Sequence, residues 1–282
     1  MKPSITNFNT QGDEQRGSIR PLKNNNVRIK LGFIGIGKIA SAVVEGLCTS
    51  KANGLEIFLS PRSEKTSAYL AGKYPAVRRM ESNQEVLDRS DIVVIALRPA
   101  VAVEILKTLS FQTRHTVVSL IPLLRYAGLS AAVQPAGVIC RAIPLPAVME
   151  HNCPIPLFRA PEAVVDLFGL IGQPLPVADE EQLHAIWTLT GLITPFYDLL
   201  GELSAWTTGH GVDERVANTY IADLFQSLSY LAQRAKHIDF AELAQHAATP
   251  NGMNEQAGKE IREKGAHAAW REAADRLLER FK

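Results

Sequence analysis

The stretch Val27-Arg-Ile-Lys-Leu-Gly-Phe-Ile-Gly35-Ile-Gly37-Lys-Ile-Ala40-Ser-Ala-Val-Val-Glu-Gly-Leu47 decides the fold. Its first part, VRIKLGFI, is β-branched and apolar and predicts a strand. After Gly37 the hydrophobic period lengthens in KIASAVVEGL, which predicts a helix. Between them stands Gly35-x-Gly37-x-x-Ala40. A first glycine permits a tight turn, a second lets backbone approach a pyrophosphate, and a small third residue packs helix on strand. Glycines also end strands for steric reasons alone. Here the strand before and the helix after give the pattern its weight, because the helix N-terminus then faces the phosphates. Gly35, Ile36, Gly37, Lys38 and Ile39 are therefore expected to form a dinucleotide cradle.

Working outward, short apolar runs at Leu55 to Leu59, Asp91 to Leu97 and Thr116 to Ile121 resemble buried parallel strands. Helix-like segments lie between the first two and after the second. Gly137 to Arg141 and Pro154 to Phe158 read as two more strands. An amphipathic run from Pro161 to Ile171 and a short PLPVA follow, after which strand signals stop. These patterns predict an α/β Rossmann-type N-terminal domain over 27–178 and an all-α C-terminal dimerisation domain over 179–282. Residues 1–26 mix Asn, Gln, Asp, Arg, Gly and Ser with no apolar run and read as a disordered tail.

In the helical half, Val216, Tyr220, Leu224, Leu228 and Leu231 keep near-heptad spacing, widened by Ile221, Phe225 and Ala232. So broad a stripe needs cover from several sides, which points to a homodimer or to an ordinary monomeric core. Near the end, Trp270, Ala273, Ala274, Leu277, Leu278 and Phe281 line one face. Arg271, Glu272, Arg276 and Arg280 occupy the other.

Composition narrows the function classes. Of 282 residues, 46% are hydrophobic and 21% charged, with a formal net charge of +1. No field of either sign would draw nucleic acid or an anionic membrane surface. The apolar stretch from Thr116 to Leu124 is far shorter than the roughly 20 residues that cross a bilayer. Cys48, Cys140 and Cys153 are an odd number without CxxC spacing. They predict neither a disulfide framework nor a zinc knuckle, and a reducing cytoplasm fits best. No cluster of His, Cys or carboxylates has metal-ligand spacing, so no metal is expected.

Cofactor choice rests on the end of the second strand, where an acid would bind the ribose 2′-hydroxyl and repel a 2′-phosphate. The strand ends instead in Leu59-Ser60-Pro61-Arg62-Ser63. Ser60 and Ser63 present hydroxyls, and Arg62 a guanidinium suited to phosphate, so NADPH is expected over NADH. Arg62 also reads as a solvated loop charge that Glu64 neutralises.

Taken in order, GFIGIGKIA at 32–40, SPRS at 60–63, SDIVVIALRP at 90–99, VVSLIP at 117–122 and RAIPLPA at 141–147 resemble the pyrroline-5-carboxylate reductase family. The similarity continues through TLTGLITPFY at 188–197 and TPNGMNEQAG at 249–258, and covers essentially everything after the tail. It implies that Asn83, in ESNQEV, lies near the NADP adenosine, and that Ala96, Leu97, Arg98 and Pro99 also line the cofactor. The departures concentrate where the family's substrate binds. Met253 and Asn254 stand in place of two adjacent threonines that hold the pyrroline carboxylate. Leu145 and Pro146 replace the Asn and Thr of the family's MPNTP segment. An unpaired carboxylate in a partly dry pocket costs on the order of several kcal/mol. Pro122, Leu145, Pro146, Thr249 and Met253 therefore imply a pocket for a more apolar substrate, with Met shaping itself around an irregular group.

Hydride transfer needs a group that protonates or stabilises the atom beside the reacting carbon. Asp198 and Glu202 lie four residues apart on one face of the helix that Tyr197 begins, and read either as an acid pair or as a solvated face. Asn254 is the positional candidate for a substrate hydrogen bond, with Thr249 flanking the same turn as a pocket residue or a helix N-cap. His210 reads as a surface or capping residue. The resemblance implies an NADPH-dependent reductase of a C=N bond in a cyclic or bulky imine. Two other classes stay open. A hydroxyacid or ketone dehydrogenase would want a helical lysine, yet no lysine occurs between Lys107 and Lys236, and Lys236 reads as a helix-end charge. A non-catalytic NADP-binding regulatory protein would keep the cradle and lose the pocket.

Overall fold

The computed structural model describes residues 29–235 and 237–282. The tail expected over 1–26 and the helix-end charge expected at Lys236 lie outside the described residues. Contacts divide the chain into two compact units, the first ending at Leu183 and the second running from His184 to Lys282. The sequence reading sets its boundary at 178/179, whereas the contact boundary falls inside a helix five residues later.

The first unit alternates strand and helix: β1 (Ile29–Ile34), α1 (Lys38–Thr49), β2 (Leu55–Leu59), α2 (Glu64–Lys73), β3 (Val77–Arg79), α3 (Asn83–Arg89), β4 (Ile92–Ile95) and α4 (Pro99–Lys107). It continues with β5 (Thr116–Ser119), α5 (Tyr126–Ala132), β6 (Val138–Ala142), β7 (Pro154–Phe158), α6 (Glu162–Gly169), β8 (Gln173–Val177) and α7 (Glu180–Thr188). Among the described residues the strands form one sheet in the order β3-β2-β1-β4-β5-β6-β7-β8. All pairs are parallel except β6 with β7.

Burial on both faces explains the unbroken apolar runs, since helices cover each side of a parallel sheet. Phe33, Leu59, Val94 and Val118 pack with α1, α2 and α6 on one face. Their neighbours Ile34, Phe58, Val93 and Val117 pack with α3, α4 and α5 on the other. Several strands stop short of the expected bounds; Ala96 and Leu97 leave β4 for the loop that follows. β3 has no counterpart among the apolar runs of the sequence. It is three residues long, only Val77 is buried, and two arginines complete it, so it offers no apolar run to read. β8 lies at the opposite edge, where Pro174 and Pro176 are tolerated because one side of the strand needs no partner.

Among the described residues of this unit, one arginine lies wholly inside. Arg141 on β6 has no solvent exposure. Its Nη1 pairs with the Glu180 carboxylate, and its Nη2 donates to the carbonyls of Ile121 (3.1 Å) and Pro122 (2.8 Å). Glu180 Oε1 also accepts the Tyr126 N–H at 2.6 Å. Burial pulls the Arg141 pKa below its ordinary value, and the neighbouring Glu180 opposes that shift. The pair ties the loop after β5 to the start of α7.

The second unit is helical, with α8 (Ile193–Gly209), α9 (Glu214–Arg234), α10 (Phe240–Ala247), α11 (Met253–Glu263) and α12 (Ala266–Leu278). Helices α8 and α9 form a hairpin in which Phe196 meets Phe225 edge-on and Ser204 Oγ donates to Asn218 Oδ1 at 2.6 Å. At the chain end Phe281 stacks on His184, with ring centroids 4.6 Å apart. The α9 stripe is only partly covered: Ile221 is buried, but Tyr220 is 66% and Leu231 61% exposed. Among the described residues, no helix is long and apolar enough to cross a membrane.

Truncating one member of a buried ion pair strands the other charge, at a cost of about 3–5 kcal/mol. Glu180→Ala is expected to lower unfolding stability by about that amount in urea titration, and the double variant Arg141→Met/Glu180→Leu to recover much of the loss.

Candidate cofactor-binding site

Strand order reverses between β1 and β4, and the loops after both strands meet there. Gly35 adopts φ +92°, and a Cβ at that position would lie 2.7 Å from the Ala96 carbonyl oxygen. Only glycine meets both conditions. Its N–H donates to Ser60 Oγ at 2.9 Å, so the ends of β1, β2 and β4 are joined at one point. Such a crevice at the carboxyl ends of parallel strands is the usual ligand site of open α/β sheets.

Gly37 is glycine for a different reason. It caps α1 with an extended backbone, and an added Cβ would meet nothing within 4 Å. No side chain caps α1 and no acid stands in its first turn. The first N–H groups of α1 therefore have no side-chain cap, and the space over Gly37 is open at the positive end of the helix dipole. That arrangement fits a pyrophosphate. The Ile36 side chain joins the hydrophobic core, which leaves its backbone for the cradle.

The structure also corrects the role of Ser60. Its side chain is buried and its oxygen accepts the Gly35 N–H, so it holds the turn from behind and does not offer itself to a 2′-phosphate. Arg62 is exposed and Ser63 is the N-cap residue of α2. Glu64 does not pair with Arg62; the cation nearest it is Arg79, at 3.9 Å. Asn83 opens α3 beyond the β3 end. Arg98 caps α4 and Pro99 fills its first turn, beside Ala96 and Leu97.

Pro122 follows β5, its carbonyl held by Arg141. Leu145 packs partly against the core and its N–H donates to Cys153 Sγ at 3.4 Å. Pro146 begins a 3₁₀ turn, Pro146–Glu150, that rests on α1, where His151 Nε2 lies 2.9 Å from the Gly46 carbonyl. Leu145 is thus a partly buried residue of the core's edge.

In the helical unit, Thr249 accepts the Gly252 N–H through its carbonyl at 2.8 Å, and Gly252 caps α11. Thr249 is therefore not the N-cap. Glu255 reaches back to the Asn251 N–H at 2.7 Å. Asn254 spends one amide donor on the Ala247 carbonyl at 2.9 Å, stitching α10 to α11, which leaves its oxygen and second N–H for other partners. Met253 is 88% exposed. Tyr197, Asp198 and Glu202 lie exposed on α8. His210 caps α8, its Nδ1 2.7 Å from the Trp206 carbonyl. Among the described residues no group of three His, Cys, Asp or Glu is placed to hold a metal. A shallow depression of about 280 Å³ near Leu55, Pro75 and Arg78 lies at the amino ends of β2 and β3, away from the cradle.

Sequence reasoning missed Ser60 as a tie, Arg79 and Arg141. An arginine inside the apolar run Ile139-Cys-Arg-Ala-Ile143 was a readable signal of a buried, paired guanidinium. Arg79 had no such marker.

A glycine cradle at the reversal point of a parallel sheet, followed by a helical unit, defines a Rossmann-type dinucleotide-binding protein. Comparison with known proteins narrows the class. Residues 30–122 match the family model for NADP oxidoreductase, coenzyme F420-dependent, and residues 180–282 match that for pyrroline-5-carboxylate reductase dimerisation. Pyrroline-5-carboxylate reductase of Escherichia coli is 26% identical over 89% of this chain and 96% of its own length. That of Pseudomonas aeruginosa is 23% identical over 89% and 95%. Among solved structures, the Streptococcus pyogenes enzyme superposes with a TM-score of 0.78 at 20% identity, covering 90% of this chain and 98% of that one. The Plasmodium falciparum enzyme with NADP bound gives 0.77 at 17%, covering 90% and 97%. Over most of its length the chain is similar to pyrroline-5-carboxylate reductases, and the two matched segments together support a protein of that family.

The two glycines are expected to separate under substitution. Gly35→Ala combines positive φ with a contact no Cβ makes, and should cost about 2–4 kcal/mol. Gly37→Ala meets neither problem and should leave thermal and urea unfolding within about 0.5 kcal/mol of the parent.

Proposed function

We propose that this protein is an NADPH-dependent reductase of a C=N bond, related to pyrroline-5-carboxylate reductase but acting on a cyclic or bulky imine of more apolar character. The observation that carries the reading is the open, uncapped α1 N-terminus over Gly37, at the crevice where Gly35, Ser60 and Ala96 meet. Similarity to pyrroline-5-carboxylate reductases over most of the chain supports reductase chemistry there.

When bound, NADPH supplies the hydride. The chain's part is to hold and orient. The α1 amides bind the pyrophosphate, and Arg62 with Ser63 binds the 2′-phosphate. The loop from Ala96 to Pro99 limits the crevice on the β4 side. Pro122, Leu145 and Pro146 in the first unit, and Thr249 and Met253 in the helical unit, are the substrate-pocket residues of this reading, and the loss of the family's donors at Leu145, Pro146 and Met253 disfavours a small carboxylate. Asn254 orients the substrate with its remaining amide groups. Tyr197 is the proposed proton donor, and Asp198 with Glu202 hold a cationic nitrogen.

The reading includes a homodimer, because the exposed apolar face of α9 is continuous and lies in the segment matching the dimerisation model. It places the protein in the cytoplasm, in keeping with three free thiols. The dehydrogenase alternative gains nothing from the structure.

Purified protein should consume NADPH, followed by its near-ultraviolet absorbance, with bulky cyclic imines and weakly or not at all with pyrroline-5-carboxylate. Efficient turnover of the latter would sink the altered-pocket reading. Cofactor binding with no turnover across imines and ketones would leave a regulatory protein.

Arg62→Ala tests the cofactor preference. Loss of one charge-assisted contact of about 1.5–3 kcal/mol should weaken NADPH at least tenfold and NADH little. Equal losses would remove Arg62 from the specificity argument.

A further inference from the structure

A second guanidinium stands beneath the loop that carries Arg62. Arg79 ends β3 in register with Leu59, and the next N–H, of Met80, donates to the Leu59 carbonyl at 2.9 Å. Its backbone is thereby fixed at the carboxyl edge of the sheet, one residue from where the Ser60–Ser63 loop begins. The side chain is 30% exposed and turns to that loop. Nη2 donates to the Pro61 carbonyl at a long 3.4 Å and lies 3.9 Å from Glu64 Oε1. Nε is buried and has no hydrogen-bond partner.

A guanidinium offers five N–H donors in a rigid fork, and a buried donor left unmade is costly. The acid in contact is Glu64, 81% exposed, whose pairing at that distance is weak and easily given up to solvent. Glu85, on the next helix, is already engaged with Arg89 at 3.1 Å and with the Glu81 N–H at 3.0 Å. Arg62 in the loop and Lys65 just after it are both positive, and the N-terminus of α2 has no side-chain cap. The local imbalance is of unused donors, and what would satisfy it is a dianion with several acceptor oxygens.

We propose that Arg79 is a specificity-determining residue, a second and partly buried cation that together with Arg62 holds the 2′-phosphate of the cofactor. This rests on the NADPH reading above. Being anchored on a strand, Arg79 supplies a preorganised charge that the loop arginine alone would not.

Isothermal titration of the full chain with NADP⁺, NAD⁺ and adenosine 2′,5′-bisphosphate tests it, on wild type, Arg79→Gln and Arg79→Lys, with thermal unfolding of each ligand-free protein alongside. Arg79→Gln should weaken NADP⁺ and the bisphosphate about tenfold or more and leave NAD⁺ within about twofold. Arg79→Lys, keeping charge without the fork, should fall between. An unchanged NADP⁺ affinity, or equal losses for NADP⁺ and NAD⁺ as from a loop buttress, would overturn the proposal while wild type still preferred NADP⁺. If Arg79→Gln does not fold, Arg79→Lys decides by the same ratio. Wild type binding both dinucleotides equally would instead be the failure of the NADPH reading.

Discussion

The site hangs on one steric constraint, the absence of a side chain at Gly35. Because nothing projects there, the loop after β1 lies against the Ala96 carbonyl while its N–H reaches Ser60. Loops from strands that diverge in opposite directions across the sheet are drawn to one point, and α1 starts with its N–H groups open. Replace that contact with a methyl group and the crevice loses its geometry before any cofactor residue is touched. Gly37 then has the separate task of leaving space above the helix end.

A second constraint is electrostatic. Arg141 can be buried only because a carboxylate and two carbonyls receive it. The carbonyls belong to Ile121 and Pro122, so placement of the loop after β5 is linked to the first residue of α7. The core on either side of the sheet would pack without this arginine; the loop would not be held at this position. The helical unit shows a complementary situation. It packs α8 on α9 through Phe196 and Phe225, yet its broadest apolar face remains open in the single chain. A face of that kind calls for a surface of like character, and helices offer little spare area for it in one chain of this length.

Much of this was legible in residue order. Alternating apolar runs and helical periods disclosed the parallel sheet, because strands covered on both faces must be apolar at every position. GxGxxA disclosed the cradle, because its spacing is set by a turn. β3 was hidden, since an edge strand of one buried valine and two arginines has no pattern, and its register is enforced only by pairing with β2. Thr249 was read as a possible cap because Thr before a helix so often is one, but the turn it begins puts Gly252 in that position.

The sequence by itself determined the order of elements, the apolar faces and the residue types available to a phosphate, since these follow from local periodicity and side-chain chemistry. Only the tertiary structure decided which donors are already occupied. Ser60 turned from a phosphate ligand into a buried tie, half of the Asn254 amide nitrogen's capacity went to Ala247, and Arg79 emerged beside Pro61. Those assignments depend on contacts between segments 18 or more residues apart at the two loops, and on a turn at Asn254, and hydrogen bonding is settled by distance and direction in space, which no linear spacing encodes.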